Sequence, residues 1–216
     1  MPDLSFSVES AEPVQFAAEP LLALKLRVEN ADREEPIHTI VLRAQIQIET
    51  PRRQYSVEEK GRLLDLFGQP ERWSRTLKPM LWTHANTVVQ AFSGSTACDL
   101  QIPCTFDFNV AATKYFHGLS DGDIPLNLLF SGSVFYAGPE GIMQVAPVPW
   151  NKEARFRLPV RVWREMMNLH YPNSAWLYLR RDVFERLYEY KMQRGIPTWE
   201  QALESLLAAE QEPVRP

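Results

Sequence analysis

Two cysteines are the first side chains to consider for chemistry, because a thiolate can act as a nucleophile or a metal ligand. Cys98 and Cys104 lie in phase within one alternating apolar run. On a single extended strand they would stand about 20 Å apart, which is too far for a disulfide. No glycine-rich turn or helix start adjoins Cys98, so no local feature would lower the pKa of its thiol. The sequence therefore predicts two reduced core thiols and no cysteine nucleophile.

Histidines and one acidic turn are the remaining candidates for catalysis or metal binding. The four histidines are His38, His84, His117 and His170. Their spacing matches neither His-x-His nor His-Glu-x-x-His, the patterns typical of metal sites. Asp121 and Asp123 lack the further oxygen ligands that a calcium loop supplies. Because Gly-x-Ser-x-Gly and phosphate-binding glycine loops are also absent from the sequence, we predict a protein that is not an enzyme and holds no metal or cofactor.

Aromatic residues are concentrated in the last third of the chain. They are Trp150, Trp163, Tyr171, Trp176, Tyr178, Tyr188, Tyr190 and Trp199. One interpretation is that they pack helices onto a sheet. The alternative is that some bind a segment of another protein, since aromatic side chains dominate interface hot spots. The loops at 149–152 and 170–176 place large rings beside prolines and amides, so the candidate partner-binding residues are Trp150, His170, Tyr171, Asn173 and Trp176.

Charge and hydropathy bear on partners and location. The net charge is −4 and no basic block occurs, which excludes the clustered positive surface that nucleic acid needs. No apolar run reaches the roughly 18 residues of a membrane span, so we expect no membrane insertion. The N-terminus lacks the basic and apolar regions of a signal peptide, which predicts a cytoplasmic protein. A homo-oligomer is compatible with all of this.

Repeated alternation of apolar and polar residues predicts the strands. The runs are at 4–8, 22–28, 40–48, 82–92, 98–110, 126–136 and 154–162. Such runs bury one face and leave the other in water, as antiparallel sheets do. Pro103 predicts that its strand lies at an edge or breaks there, and Gly132 predicts a bulge.

Helical signals interrupt and then follow the strands. Ser56 and Glu59 form a capping-box pattern that opens a helix ending near Gly68, and a further helical turn is expected at 70–77. Apolar spacing of three and four residues predicts helices after 162, at 182–194 and after Thr198. The expected fold is mainly β (α+β), an antiparallel β-sandwich-like domain with an inserted short helix and two or three C-terminal helices packed on one face.

The predicted organisation is a single β-rich domain over residues 1–209. Within it we expect N-terminal strands at 1–50, the inserted helical segment at 56–77, further strands at 80–162 and C-terminal helices at 163–209. A frayed tail is expected at 210–216, where the sequence is polar and contains proline.

Six segments carry a nearly full-length resemblance. They are IHTIVLRAQI from residue 37, LDLFGQPERW from 64, LWTH from 81, FSGSVF from 130, LPVRVWREMM from 158 and HYPNS from 170. In this order they resemble an uncharacterised bacterial family, a domain of unknown function, whose members tend to be encoded beside nickel–iron hydrogenase subunits and maturation factors. The resemblance implies a setting and assigns no residue a role.

A weaker resemblance concerns the fold. The opening strand, the run at 40–48, the segment ending at Gly138 and the segment from Tyr171 to Pro197 are similar to SecB, the export chaperone. That likeness implies an antiparallel sheet with helices on one face. A large insertion, roughly 51–125, departs from the SecB pattern, and fold analogy alone does not establish function.

These observations favour a non-catalytic accessory or chaperone-like protein-binding domain. Its expected partner is a hydrogenase subunit or maturation factor, bound through an exposed sheet edge or the aromatic loops. Two alternatives stay open at this stage. One is a structural subunit of a larger complex, and the other is an enzyme or small-molecule binder with an unrecognised site.

Overall fold

The computed structural model describes residues 2–138 and 141–211. Contacts group the chain into two compact units, the first ending at Ser174 and the second beginning at Ala175. The single domain expected over 1–209 stays a prediction. The frayed tail expected at 210–216 lies outside the described residues from 212 onward.

Eight strands and seven α-helices make up the described residues. The strands are β1 (Leu4–Pro13), β2 (Leu21–Asn30), β3 (Ile37–Ile48), β4 (Met80–Val89), β5 (Ser95–Pro103), β6 (Asp123–Ala137), β7 (Met143–Pro147) and β8 (Glu153–Pro159). The helices are α1 (Val57–Arg62), α2 (Leu64–Phe67), α3 (Trp73–Thr76), α4 (Val110–Gly118), α5 (Val160–His170), α6 (Arg181–Gln193) and α7 (Trp199–Gln211). Short 3₁₀ turns lie at Thr50–Arg52 and Pro70–Arg72.

The strands form two antiparallel sheets, which confirms the expected α+β fold class. One sheet has the order β1-β2-β5. The other has the order β4-β3-β6-β7, with β8 pairing the first half of β6 and β7 the second half. At the lateral edges β4 lies against β5 and β1 against β8, so these edges of the two sheets meet.

The core lies between the sheets because most strands bury one alternating set of apolar residues. On β2 the fully buried residues are Leu22, Leu24, Leu26 and Val28, and on β3 they are Ile40, Leu42, Ala44, Ile46 and Ile48. Stacking of Phe6 on Phe130, with ring centroids 4.4 Å apart, joins the two sheets. Burial of this alternating set fixes the register, since a slip by one residue would expose all of it.

The inserted segment begins as the sequence predicts. Ser56 Oγ accepts a hydrogen bond from the N–H of Glu59, whose carboxylate accepts one from the N–H of Ser56, a complete capping box. The helix is interrupted at Leu63 and resumes as α2, which ends at Gly68 with φ +71°. The helical turn expected at 70–77 is confirmed by a 3₁₀ turn and α3.

Two strand expectations are corrected. The run at 98–110 ends as β5 at Pro103, and the residues from Val110 onward form α4, capped by the side chain of Asn109. The run at 154–162 ends at Pro159, after which α5 begins and packs against β1 and β2. Proline ends both strands because it lacks the N–H that a ladder needs.

The bulge expected at Gly132 is wrong for the pairing of β6 with β3, whose register passes through Gly132 without a shift. Glycine is required here instead because the backbone of β3 passes very close to its Cα. A Cβ at this position would lie 2.0 Å from the carbonyl oxygen of Val41, and φ is +144°.

The second unit contains α6 and α7. Phe184 and Tyr188 of α6 lie 5.3 and 6.2 Å from the ring of Trp199, and Tyr190 Oη is 2.8 Å from Ser205 Oγ. The helix expected at 182–194 is confirmed, and Gly195, with φ +62°, follows its end.

Candidate partner-binding surface

β7 leaves one edge open. It pairs with Ser133–Ala137 of β6 on one side. Its other edge pairs with no strand among residues 2–138 and 141–211. An unpaired edge presents backbone N–H and C=O groups that another chain can bind, which is why proteins usually cover such edges.

The sheet face beside this edge is apolar and exposed. Strand register places Phe135 opposite Val145 and Met143 opposite Ala137, with Val41 opposite Ser133 one row away. The side chains of Val41, Met143 and Val145 are each more than half exposed, and Phe135 is half-buried. These four residues, together with Trp150, are called the β7 surface below.

Trp150 stands at the turn that joins β7 to β8. The N–H of Val148 donates to Gly132 O at 2.9 Å, and the N–H of Lys152 donates to Pro149 O at 3.1 Å. These bonds fix both ends of the turn while the indole is 93% exposed. An exposed tryptophan on a hydrogen-bonded turn is typical of a residue that anchors an interface. Its side chain has few rotatable bonds, so little conformational entropy is lost on binding.

His170 and Tyr171, at the C-terminal end of α5, lie near a different loop. His170 Nδ1 is 3.1 Å from Met166 O and Nε2 is 3.2 Å from Ala17 O. Both acceptors are carbonyls, so the neutral ring can donate to one of them and the imidazolium to both. Tyr171 packs on Phe106, with centroids 4.7 Å apart, and is therefore partly structural.

Asn173 and Trp176 complete the predicted residues. Asn173 has φ +53°, a left-handed conformation that asparagine tolerates better than most residues. Trp176 stacks on Tyr178 at 6.0 Å within the second unit.

The predicted residues of the first unit do not form one site. Trp150 is two residues from Lys152, whose Nζ lies 2.7 Å from Asp3 at the start of β1. His170 contacts Ala17, beyond the end of that strand. Because β1 has ten residues at roughly 3.3 Å each, the two loops stand about 30 Å apart, at opposite ends of the strand.

Sequence reasoning missed Phe16. It lies in the turn between β1 and β2, next to the Ala17 carbonyl that His170 contacts, with φ +59° and a fully exposed ring. An exposed aromatic residue in a strained conformation is a functional candidate. The one available signal was a phenylalanine outside every periodic run.

Burial shifts the pKa values of the two thiols and of one histidine. Burial raises the pKa of Cys104 to about 12 and also raises the pKa of Cys98, which opposes thiolate formation at both. Burial, followed by the charge of Arg164, lowers the pKa of His117, whose ring stacks on Phe106. Within 2–138 and 141–211, no group of three or more His, Cys, Asp or Glu is arranged to hold a metal. No helix in those ranges is long and apolar enough to cross a membrane.

Comparison with known proteins identifies a family and little else. The model of a family of unknown function, DUF6084, matches residues 1–215. No curated protein matches the chain. Neither the hydrogenase setting nor the likeness to SecB finds support in these comparisons.

Three solved structures share a weak likeness. A protein named as late embryogenesis abundant (LEA) is 14% identical, with 74% of this chain and 73% of that chain covered and a TM-score of 0.30. An ApaA protein from Bordetella pertussis is 14% identical, with 73% and 93% covered and a TM-score of 0.26. β-Glucosidase 3B from Thermotoga neapolitana is 16% identical, with 72% and 17% covered and a TM-score of 0.25. At such TM-scores none of the three bears on function.

Proposed function

The chain belongs to the DUF6084 family, a family of unknown function, and we propose that it is a non-catalytic, chaperone-like accessory protein that binds another protein through the β7 surface. In the setting that the sequence resemblance implies, the partner is a nickel–iron hydrogenase subunit or one of its maturation factors. The observation that carries the proposal is the unpaired edge of β7 beside an exposed apolar sheet face.

Strand addition is the binding mode that this geometry favours. An extended partner segment would hydrogen-bond to the backbone of β7, extending the sheet β4-β3-β6-β7 by one strand. Alternate side chains of that segment would then cover Met143 and Val145 on the outer face. Backbone bonds supply affinity without sequence preference, so apolar contacts and Trp150 would select the partner.

The test is affinity purification of the tagged protein from its native host, followed by mass spectrometry of the captured proteins. Val145→Lys places a charge on the apolar face, and Trp150→Ala removes the exposed ring. We expect each variant to reduce recovery of the partner at least about tenfold. Val57→Lys is the matched control, since Val57 is exposed and lies on α1, outside the β7 surface. Phe16→Ala tests the exposed turn between β1 and β2 as an alternative surface.

The result of the purification distinguishes an accessory protein from a structural subunit. Immature hydrogenase subunits or maturation factors captured in a β7-dependent manner support the accessory role. Recovery of the protein alone, as a monomer, contradicts it. Stoichiometric retention in a mature complex indicates a structural subunit instead. Loss of capture by Phe16→Ala alone would move the binding surface to the His170 end of the sandwich.

A further inference from the structure

A second feature of the same sheet is a cleft of about 290 Å³ formed by β6, β8 and the 3₁₀ turn that follows β3. Its lining residues are Glu49, Arg52, Pro125, Leu126, Arg155, Phe156 and Arg157. Pro125, opposite Arg157, is buried and gives the floor an apolar patch, whereas the side chains of Leu126 and Phe156 point to the other face of the sheet. Arg52 and, from a distant part of the sequence, Arg155 and Arg157 stand around that floor, in a chain whose net charge is −4.

Two of these guanidinium groups have acidic neighbours. Arg52 Nε is 3.3 Å from Glu49, and Arg155 Nη2 is 3.6 Å from Glu153 just outside the cleft. Both arginines are more than half exposed, so these pairs contribute little and can be exchanged for a ligand carboxylate. Arg157 makes no ion pair with any residue in 2–138 or 141–211. The cleft therefore has unused capacity for an anion.

The spacing of the two arginines on β8 matches the spacing of side chains in an extended peptide. Arg155 and Arg157 lie two residues apart on one face, opposite Asn127 and Pro125 of β6. Side chains at i and i+2 of an extended peptide have the same separation, roughly 6.6 Å. Two acidic residues of that peptide would therefore meet the two guanidinium groups at once, and an apolar residue on the same face would cover the floor.

We propose that this cleft binds an acidic, extended segment of a protein partner, with carboxylates at alternate positions held by Arg155 and Arg157. The proposal goes beyond the proposed function by adding a second contact on the same protein partner, and it rests on that function for the partner being a protein. Charge complementarity selects this occupant, since a basic or purely apolar segment would leave Arg157 unpaired.

Fluorescence anisotropy tests the proposal with the full chain and a labelled peptide that alternates glutamate with serine and ends in leucine. We expect saturable binding that weakens as salt is raised. Arg155→Gln and Arg157→Gln together should weaken binding at least about tenfold. Arg75→Gln, an exposed arginine on α3, should leave it unchanged. The same peptide with lysine in place of glutamate is the charge control.

Two results would overturn the proposal. One is that the glutamate peptide does not bind, that the lysine peptide binds equally well, or that the double variant binds the glutamate peptide as tightly as the wild type does. The other is binding of inorganic phosphate that depends on Arg157 while the peptide fails to bind, which would make the cleft a small-anion site. The anisotropy measurement does not involve β7, so it can succeed when the affinity purification fails. If the peptide binds but no hydrogenase protein is captured, the proposed partner is wrong and the acidic-peptide site stands.

Discussion

Arg53 Nη2 donates a hydrogen bond of 2.7 Å to Glu59 Oε1, and both side chains are more than nine-tenths buried. The same carboxylate oxygen accepts from the N–H of Ser120 at 2.8 Å, and Arg53 also donates to Asp121 O at 2.6 Å. The pair thus ties the inserted helical segment to the turn that precedes β6. A buried pair of this kind stabilises the fold only while both partners are present.

Glu59→Ala should therefore destabilise the protein by about 3 kcal/mol at neutral pH, because it leaves a buried guanidinium uncompensated. Urea unfolding followed by circular dichroism measures the loss. Glu58→Ala is the control, since Glu58 lies on the same helix and is largely exposed. Equal stabilities of the two variants would contradict a structural role for the pair.

The loss should also depend on pH. Burial acts to raise the pKa of Glu59, but hydrogen bonds from Ser120, Ser56 and Arg53 outweigh it and hold the pKa below its ordinary value of 4.5. The carboxylate thus stabilises the fold fully above about pH 4.5, and this contribution disappears as pH falls through the lowered folded value. The difference between wild type and Glu59→Ala should narrow in acid, and a constant difference from pH 7 to pH 3 would argue against this origin.

Gly132→Ala should be strongly destabilising. The added Cβ would meet Val41 O at 2.0 Å in a backbone conformation reserved for glycine, so we expect a loss of about 3 kcal/mol or more. Gly61→Ala is the matched control, because its Cβ would meet nothing within 4 Å on a helix and should stabilise by up to about 1 kcal/mol. Thermal unfolding of both variants gives the comparison, and a tolerated alanine at 132 would show that β3 and β6 can separate there.

The two thiols should differ in reactivity. Burial raises the pKa of Cys104 to about 12, and Cys98 is half-exposed, so iodoacetamide at pH 8 should label Cys98 first. In urea both should react at similar rates. Mass spectrometry of timed digests measures the labelling, with Cys98→Ser as the single-thiol control. Rapid labelling of Cys104 in the native protein would show that its strand end opens to solvent.

Trp150→Ala and Trp163→Ala should separate binding from stability. Because the ring of Trp150 is exposed, Trp150→Ala should change the free energy of unfolding by no more than about 0.5 kcal/mol. Trp163 is buried edge-on against Phe116 and His117, so its truncation should cost about 3–5 kcal/mol. Denaturant titration of both proteins is the measurement. A large loss for Trp150→Ala would mean that its effect on capture reports folding.

The sequence predicted local structure correctly where a single interaction between nearby residues determines it. The capping box at Ser56 and Glu59 formed because its hydrogen bonds lie within four residues. The strands formed because apolar alternation has one phase that can be buried. The run at 98–110 was misread beyond Pro103, since alternating residues after a proline can equally open a helix once Asn109 caps it.

The candidate site was less accessible to sequence reasoning. Trp150 was identified from its setting among prolines and amides, whereas Phe16 gave no periodic signal. The open edge of β7 could not be foreseen because it depends on which strands pair with β6, and that pairing is settled by contacts far apart in the chain.

The sequence by itself determined the α+β class, the inserted helix and the phase of each strand, because these follow from hydrogen bonds and burial patterns within a few residues. Only the tertiary structure decided that Trp150 and His170 stand at opposite ends of β1, that Gly132 faces Val41 and that Arg52, Arg155 and Arg157 share one cleft. Those relationships arise from strand order and register, in which residues about 100 positions apart become neighbours.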